Sequence, residues 1–142
     1  MGLLDDYSGA IGSPRPRWQH QIVMSRLHGE SYKELARKGL LILTEPTITN
    51  DWDDKAPDLV IFNKDMQPLT IIEITRSYQL DDIIEKCVEL MERFPDAEYF
   101  VYDYERNILY RFAPEYNKWL SSEKYELFSA YLSEPVMNYI KG

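Results

Sequence analysis

Apolar residues recur at helical spacing in two long stretches of the chain. Between residues 17 and 38 they follow a period close to that of a helix, and Gly39 stands where a C-terminal cap belongs. Residues 80–94 carry the clearest amphipathic pattern, and Pro95 ends it. The apolar stripe of this second helix consists of Leu80, Ile83, Ile84, Cys87, Val88, Met91 and Phe94. A third, shorter helix is predicted near residues 123–131.

Short β-branched and aromatic runs predict strands around these helices. The first is residues 40–43, and residues 58–62 and 69–75 flank a turn-rich segment that is typical of a hairpin. Residues 98–103 and 108–112 predict a second strand pair around a turn at residues 104–107. The order helix, strand, strand pair, helix, strand pair predicts an α/β fold in which one mixed β-sheet is flanked by α-helices.

The remaining segments predict loops. Residues 1–16 are rich in Gly, Ser and Pro and predict an N-terminal arm, which leaves residues 17–142 as a single domain. A polar connection at residues 49–55 follows the first strand and carries Asp51, Asp53 and Asp54.

Composition narrows the class of protein. With 142 residues, 44% of them apolar, the chain can bury a core, and no run of 18 apolar residues could span a membrane. Asp5 and Asp6 interrupt the N-terminus where a secretory signal would carry its apolar stretch. The single cysteine, Cys87, lies in an apolar stripe, which favours a small hydrophobe in a reducing compartment. We therefore expect a cytoplasmic protein without a membrane partner.

The formal net charge of −8 argues against a general nucleic-acid binder, because such proteins gain affinity from Lys and Arg contacts with phosphates. The charge is uneven, however. Residues 1–40 carry six Lys and Arg against four Asp and Glu, and the remainder carries ten against twenty. Any polyanion would therefore have to meet the first helix, although an ordinary solvated face is the preferred interpretation of the same residues.

Two acidic residues of the predicted hairpin, Asp58 and Glu73, could face each other. If the turn is centred between Asp65 and Met66, Phe62 lies opposite Leu69 and Asp58 lies opposite Glu73. Directly opposed side chains share a face, with Cβ atoms about 4.5–5.5 Å apart.

Two like charges at that distance, each beside an apolar run, require compensation. A shared proton, an Arg or a hard divalent cation such as Mg²⁺ could provide it. The alternative is structural. Asp58 could simply begin a strand and Glu73 could be solvated, and a register slip of one residue would put the two acids on opposite faces.

Pro57-Asp58, a spacer with a turn and then Glu73-Ile74-Thr75 resemble the PD-(D/E)XK motif of restriction-endonuclease-like nucleases, with Thr75 at the Lys position. The resemblance extends over roughly residues 14–140. It is similar to a branch of small restriction-endonuclease-like proteins in which the Lys lies on the helix after the acidic strand. The residues that carry this wider pattern are His20, Leu27, Asp58, Glu73, Asp82, Lys86 and residues 98–103.

This resemblance implies a restriction-endonuclease-like core and hydrolysis of a phosphodiester in DNA or another nucleic acid. It further implies that Asp58, Glu73 and the carbonyl oxygen of Ile74 hold Mg²⁺ or Mn²⁺. Lys86 is then the candidate for positioning the attacking water. The resemblance also leaves open a homodimer in which two copies cut both strands, although the sequence identifies no interface.

Departures from the motif keep a second interpretation open. The Thr75 hydroxyl carries no charge and cannot replace the ammonium group of Lys. Lys86 is predicted about 130° from the centre of its helix's apolar stripe, and an Asp82–Lys86 pair would explain it as well. Arg76 could contact phosphate or merely be solvated. The alternative is therefore a catalytically inactive nuclease-like domain that acts as a binding or assembly module.

Four residues of the first helix complete the set of candidates. Glu30 and Glu34 could add a third acid to the metal site, but surface pairs with Lys33 and Lys38 are the preferred interpretation. His20 and His28 are eight residues apart and too distant to share a metal, so we expect a half-buried and a surface histidine.

Overall fold

The computed structural model of the protein describes residues 18–48 and 56–142. The predicted arm at residues 1–16 and the acidic connection at residues 49–55 therefore lie outside the described residues. The helices are α1 (Trp18–Arg37), α2 (Leu80–Arg93) and α3 (Val136–Lys141), with a short 3-10 helix at Ser77–Gln79. Within the two described ranges, no helix has the length and apolar character needed to cross a bilayer.

The strands form one six-stranded sheet in chain order. Their bounds are β1 (Leu41–Thr44), β2 (Leu59–Phe62), β3 (Pro68–Thr75), β4 (Glu98–Asp103), β5 (Ile108–Ala113) and β6 (Lys118–Ser121). Neighbouring strands are antiparallel except for β3 and β4, which run parallel because α2 carries the chain back between them. The predicted α/β fold with one mixed sheet and flanking helices is confirmed.

Each face of the sheet packs against a different helical layer. On one face, Ile72 and Ile74 of β3 join the core beneath α1 and α3. On the other face, Val60 and Ile71 pack with Cys87 of α2. Because strand side chains alternate between faces, Glu73 lies on the same face as Ile71, towards α2.

A β-bulge sets the register of the β2–β3 hairpin. The turn itself pairs Asn63 with Gln67, and Phe62 lies opposite Pro68, so the predicted pairing of Phe62 with Leu69 is wrong. The register then shifts between Ile61 and Phe62, and Leu59 lies opposite Ile72, as predicted. Without this shift, Asp58 would continue the turn's register and lie opposite Ile72, on the wrong face.

Helix α2 is rotated relative to its predicted apolar stripe. Leu90 is buried, whereas Val88, which the periodicity assigned to the core, is 48% exposed. Lys86 lies four residues before Leu90 and three after Ile83, so the rotation brings it to the edge of the buried face. Cys87 is fully buried, and this burial raises the pKa of its thiol, as expected for a small hydrophobe.

The C-terminal region differs from the prediction. Residues 123–131 form turns and an irregular segment rather than a helix. Glu98 explains the difference, because its carboxylate accepts hydrogen bonds from the Ser129 hydroxyl at 2.6 Å and the Ala130 amide at 2.7 Å. These contacts hold the backbone away from a helical path. Strand β6 and helix α3 were not predicted.

Candidate functional site

Asp58 and Glu73 lie next to each other where β2 begins, beside the last residues of β3. Extending the β2–β3 register by one residue puts the two acids opposite each other, and the Asp58 amide donates to Glu73 Oε1 at 3.2 Å. The Ile74 amide donates in turn to Asp58 Oδ2 at 2.7 Å. Glu73 is 1% exposed, so the site buries a carboxylate beneath α2.

Lys86 of α2 lies directly on this buried carboxylate. Its Nζ is 2.6 Å from Glu73 Oε2 and also donates to the Ala56 carbonyl at 3.4 Å. Burial raises the pKa of Glu73 to about 7, the Asp58 charge adds to this rise, and the Lys86 ammonium opposes it. The charge compensation that two opposed acids require is therefore provided in part by a lysine of the chain itself.

Sequence reasoning did not foresee the contact between His20 and Asp58. His20 Nε2 lies 3.3 Å from Asp58 Oδ1, and the two side chains are 14% and 16% exposed. Burial alone would lower the pKa of His20, but Asp58 outweighs it and raises that pKa above its ordinary value. The predicted half-buried histidine is confirmed. The sequence feature that could have indicated its burial is its position three residues before Val23, which places His20 on the buried face of α1.

The residues present fit a hard divalent cation. The two carboxylates supply oxygen donors, and the N–H and C=O of one strand residue point to the same side, so the Ile74 carbonyl faces the Asp58 edge. Oxygen ligands of this kind suit Mg²⁺ and Mn²⁺. Across residues 18–48 and 56–142, no three His, Cys, Asp or Glu side chains form a group that could hold a metal. The donor set is thus two carboxylates and one carbonyl.

Two neighbouring residues are used elsewhere. The Thr75 side chain lies on the same face of β3 as Glu73, but its hydroxyl is buried, donates to the Arg76 carbonyl at 3.0 Å and carries no charge. Arg76 Nε lies 3.4 Å from Glu105 Oε2, and its guanidinium is 4.9 Å from the Tyr78 ring centroid. Arg76 is therefore already paired at the end of β3.

Glu34 of α1 belongs to a different cluster. Its carboxylate lies 3.2 Å from Lys38 Nζ, which confirms the predicted i, i+4 pair. It also accepts hydrogen bonds from the Ser133 amide at 2.6 Å and from the Tyr139 hydroxyl. Glu34 thus fastens the C-terminal segment to α1 instead of adding a third acid to the site.

Helices α1 and α2 present opposite charges to solvent. The exposed side of α2 is acidic, because its exposed charged residues are one base, Arg93, and five acids: Asp81, Asp82, Glu85, Glu89 and Glu92. Helix α1 exposes three basic residues, Arg26, Lys33 and Arg37, and one acid, Glu30. The acidic side of α2, which covers Glu73, would repel a polyanion, and whether one meets α1 stays a prediction.

Comparison with known proteins adds no assignment. No protein-family model matches the chain, and a search of curated proteins also finds no match. The nuclease family indicated by the Asp58, Glu73 and Lys86 pattern therefore stays a prediction.

Proposed function

We propose that the protein is a divalent-metal-dependent nuclease of the PD-(D/E)XK type, with a restriction-endonuclease-like core, that hydrolyses phosphodiester bonds in DNA or another nucleic acid. One observation carries the proposal. Three elements, β2, β3 and α2, bring Asp58, Glu73 and Lys86 together, although these residues span 29 positions of the sequence. A purely structural acid would not require a second acid opposite it.

Asp58, Glu73 and the Ile74 carbonyl would hold the ion. When bound, Mg²⁺ or Mn²⁺ would lower the pKa of a coordinated water and neutralise negative charge at the phosphate. The chain supports this arrangement by fixing both acids through backbone amides, because the Asp58 N–H holds Glu73 Oε1 and the Ile74 N–H holds Asp58 Oδ2. The donors are thereby held in place before any ligand arrives.

Lys86 would position the attacking water and stabilise charge that develops at the phosphate. An ammonium group has three N–H donors, and among the described residues Lys86 Nζ forms an ion pair with Glu73 and donates a hydrogen bond to the Ala56 carbonyl. The third donor can face a water or a phosphate oxygen. Thr75 cannot supply this charge, so the role that the common motif gives to its lysine falls to the helix.

The direct test is cleavage of plasmid and single-stranded DNA in Mg²⁺ or Mn²⁺ by the wild type and two matched variants. Glu73→Gln removes a metal-binding charge at nearly constant volume, and we expect cleavage to fall at least about a hundredfold. Thr75→Val alters the neighbouring motif position, whose hydroxyl faces the Arg76 carbonyl, and should leave cleavage intact. Melting temperatures of both variants show whether they remain folded.

Metal binding is tested separately by melting the protein in increasing Mn²⁺. A ligand that binds only the folded state raises its stability by about 2.7 kcal/mol at a hundred times the dissociation constant. The wild type should therefore melt at higher temperature in Mn²⁺, and Asp58→Asn should abolish the shift. Cleavage by Glu73→Gln at the wild-type rate would contradict the nuclease assignment.

A second candidate is a nuclease-like module that binds or assembles without cleaving. The contact of 2.6 Å between Lys86 and Glu73 favours it, since this pair compensates the buried acid without a metal. The acidic outer side of α2 favours it too, because it disfavours a polyanion on that side of the site. The absence of any Mn²⁺-dependent shift in the wild type would select this function over the first.

A further inference from the structure

His20 is a half-buried polar residue at the site that the proposed roles do not use. Its Nε2 contacts Asp58 Oδ1 at 3.3 Å, while its Nδ1 is buried and has no hydrogen-bond partner among the described residues. Buried polar atoms are usually hydrogen-bonded, so an unpaired ring nitrogen calls for an explanation. A histidine whose only purpose was to fill the core beside Val23 would be better replaced by an apolar side chain.

With the contact from His20, both oxygens of the Asp58 carboxylate have a partner. The Ile74 amide fixes Oδ2 from β3, and His20 reaches Oδ1 from the opposite layer. Helix α1 is itself fixed, because Val23, Leu27 and Leu35 are buried against the sheet. The carboxylate plane is thus set by two rigid elements, whereas its own side chain could otherwise rotate about χ2.

We propose that His20 is a positioning residue that donates from Nε2 to Asp58 and so orients this carboxylate towards a divalent cation shared with Glu73. The inference rests on the proposed metal function. It requires the neutral ring to carry its proton on Nε2, which leaves Nδ1 as an acceptor without a partner, as observed. Partners of this kind, which orient a metal ligand, typically contribute 10–100-fold to metal affinity.

The test compares four forms of the full-length chain. His20→Ala removes the donor, and His20→Gln retains an N–H group at the same distance along the side chain as Nε2. His28→Ala is the matched control, since His28 lies eight residues along α1 and stacks on Tyr32 at 5.6 Å between ring centroids. For each form, the Mn²⁺ concentration that gives half of the maximal rise in melting temperature is measured.

We expect this concentration to rise about 10–100-fold in His20→Ala. In His20→Gln this concentration should return to within about threefold of the wild-type value. Restored packing alone would not produce this recovery, because it depends on the N–H donor. His28→Ala should match the wild type. Should His20→Ala fail to fold, nitrogen NMR of the wild-type imidazole ring at high pH still decides, because the proposal needs Nε2 protonated and Nδ1 bare. A proton on Nδ1 overturns it.

Two failures can be told apart. An unchanged Mn²⁺ midpoint in His20→Ala, together with its loss in Asp58→Asn, overturns the role of His20 and leaves the metal site standing. No Mn²⁺-dependent shift in the wild type overturns both proposals at once.

Discussion

Replacing Lys86 by methionine removes the ammonium group that compensates Glu73 while keeping a side chain of similar length. Glu73 is 1% exposed, its Oε2 lies 2.6 Å from Lys86 Nζ, and the Lys86 side chain is 23% exposed, so the pair is largely buried. Breaking such a pair by removing one partner typically costs about 3–5 kcal/mol. For a chain of this size, that loss lowers the melting temperature by roughly 10–17 °C.

The loss should depend on pH in a defined direction. The folded-state pKa of Glu73 is raised to about 7 from an ordinary value of 4.5, so the folded protein binds the extra proton between these values. Stability from this group is full below pH 4.5 and is lost as the pH rises through 7. Without Lys86 the pKa of Glu73 rises further. Lys86→Met should therefore be far more destabilising at pH 8 than at pH 5.

Thermal and urea unfolding at pH 5 and pH 8 would measure this difference. Lys64→Met, at an exposed turn position, serves as the control and should change stability by less than about 0.5 kcal/mol at either pH. The double variant Lys86→Met, Glu73→Gln should recover most of the lost stability at pH 8, because no buried charge then lacks a partner. An equal loss at both pH values, or no recovery in the double variant, would refute the reasoning.

Three further predictions concern other parts of the fold. Burial opposes ionisation of Glu34, but hydrogen bonds from Tyr139 and its neighbours prevail and lower its pKa, so Glu34→Gln should cost about 1 kcal/mol in urea unfolding at pH 7. That difference should vanish as the pH falls below the folded-state pKa of Glu34, and a constant difference would contradict it. Met66 is 52% exposed with φ of 60°, so Met66→Gly should raise the melting temperature slightly, and a fall would show that its side chain matters more than the strain. Asn63 Oδ1 accepts the Asp65 and Gln67 amides, both at 2.9 Å, so Asn63→Ala should cost about 1 kcal/mol by urea unfolding, and an unchanged midpoint would show that the turn does not need it.

Local patterns were sufficient to predict much of this fold. Periodicity placed α1, α2 and five of the six strands to within two residues, because these elements bury one face against a common core. The local patterns gave a wrong prediction at residues 123–131, where the hydrogen bonds from Ser129 and Ala130 to distant Glu98 hold the backbone. Strand β6 is four residues long and only half-buried, so it left little apolar pattern.

The site was predictable in part for a similar reason. The opposition of Asp58 and Glu73 follows from counting residues across a hairpin, but the count succeeded because a bulge at Ile61–Phe62 offsets the turn. The contact of His20 with Asp58 depends on how α1 crosses the sheet, and nothing local to α1 specifies that crossing. Lys86 was identified by resemblance, and its reach to Glu73 accompanies a rotation of α2 that buries Leu90 and exposes Val88.

The bulge has an evolutionary consequence. Loop lengths change readily among related proteins. Here, however, the number of residues in the turn, together with the bulge, sets the register that places Asp58 opposite Glu73, although the turn itself contributes no residue to the site. A deletion in the Asn63–Gln67 turn would be harmless to the site only if the strands absorbed it by losing the bulge at the same time. Related chains should therefore change the length of this turn and the bulge together, or else lose Asp58 and Glu73 as an opposed pair.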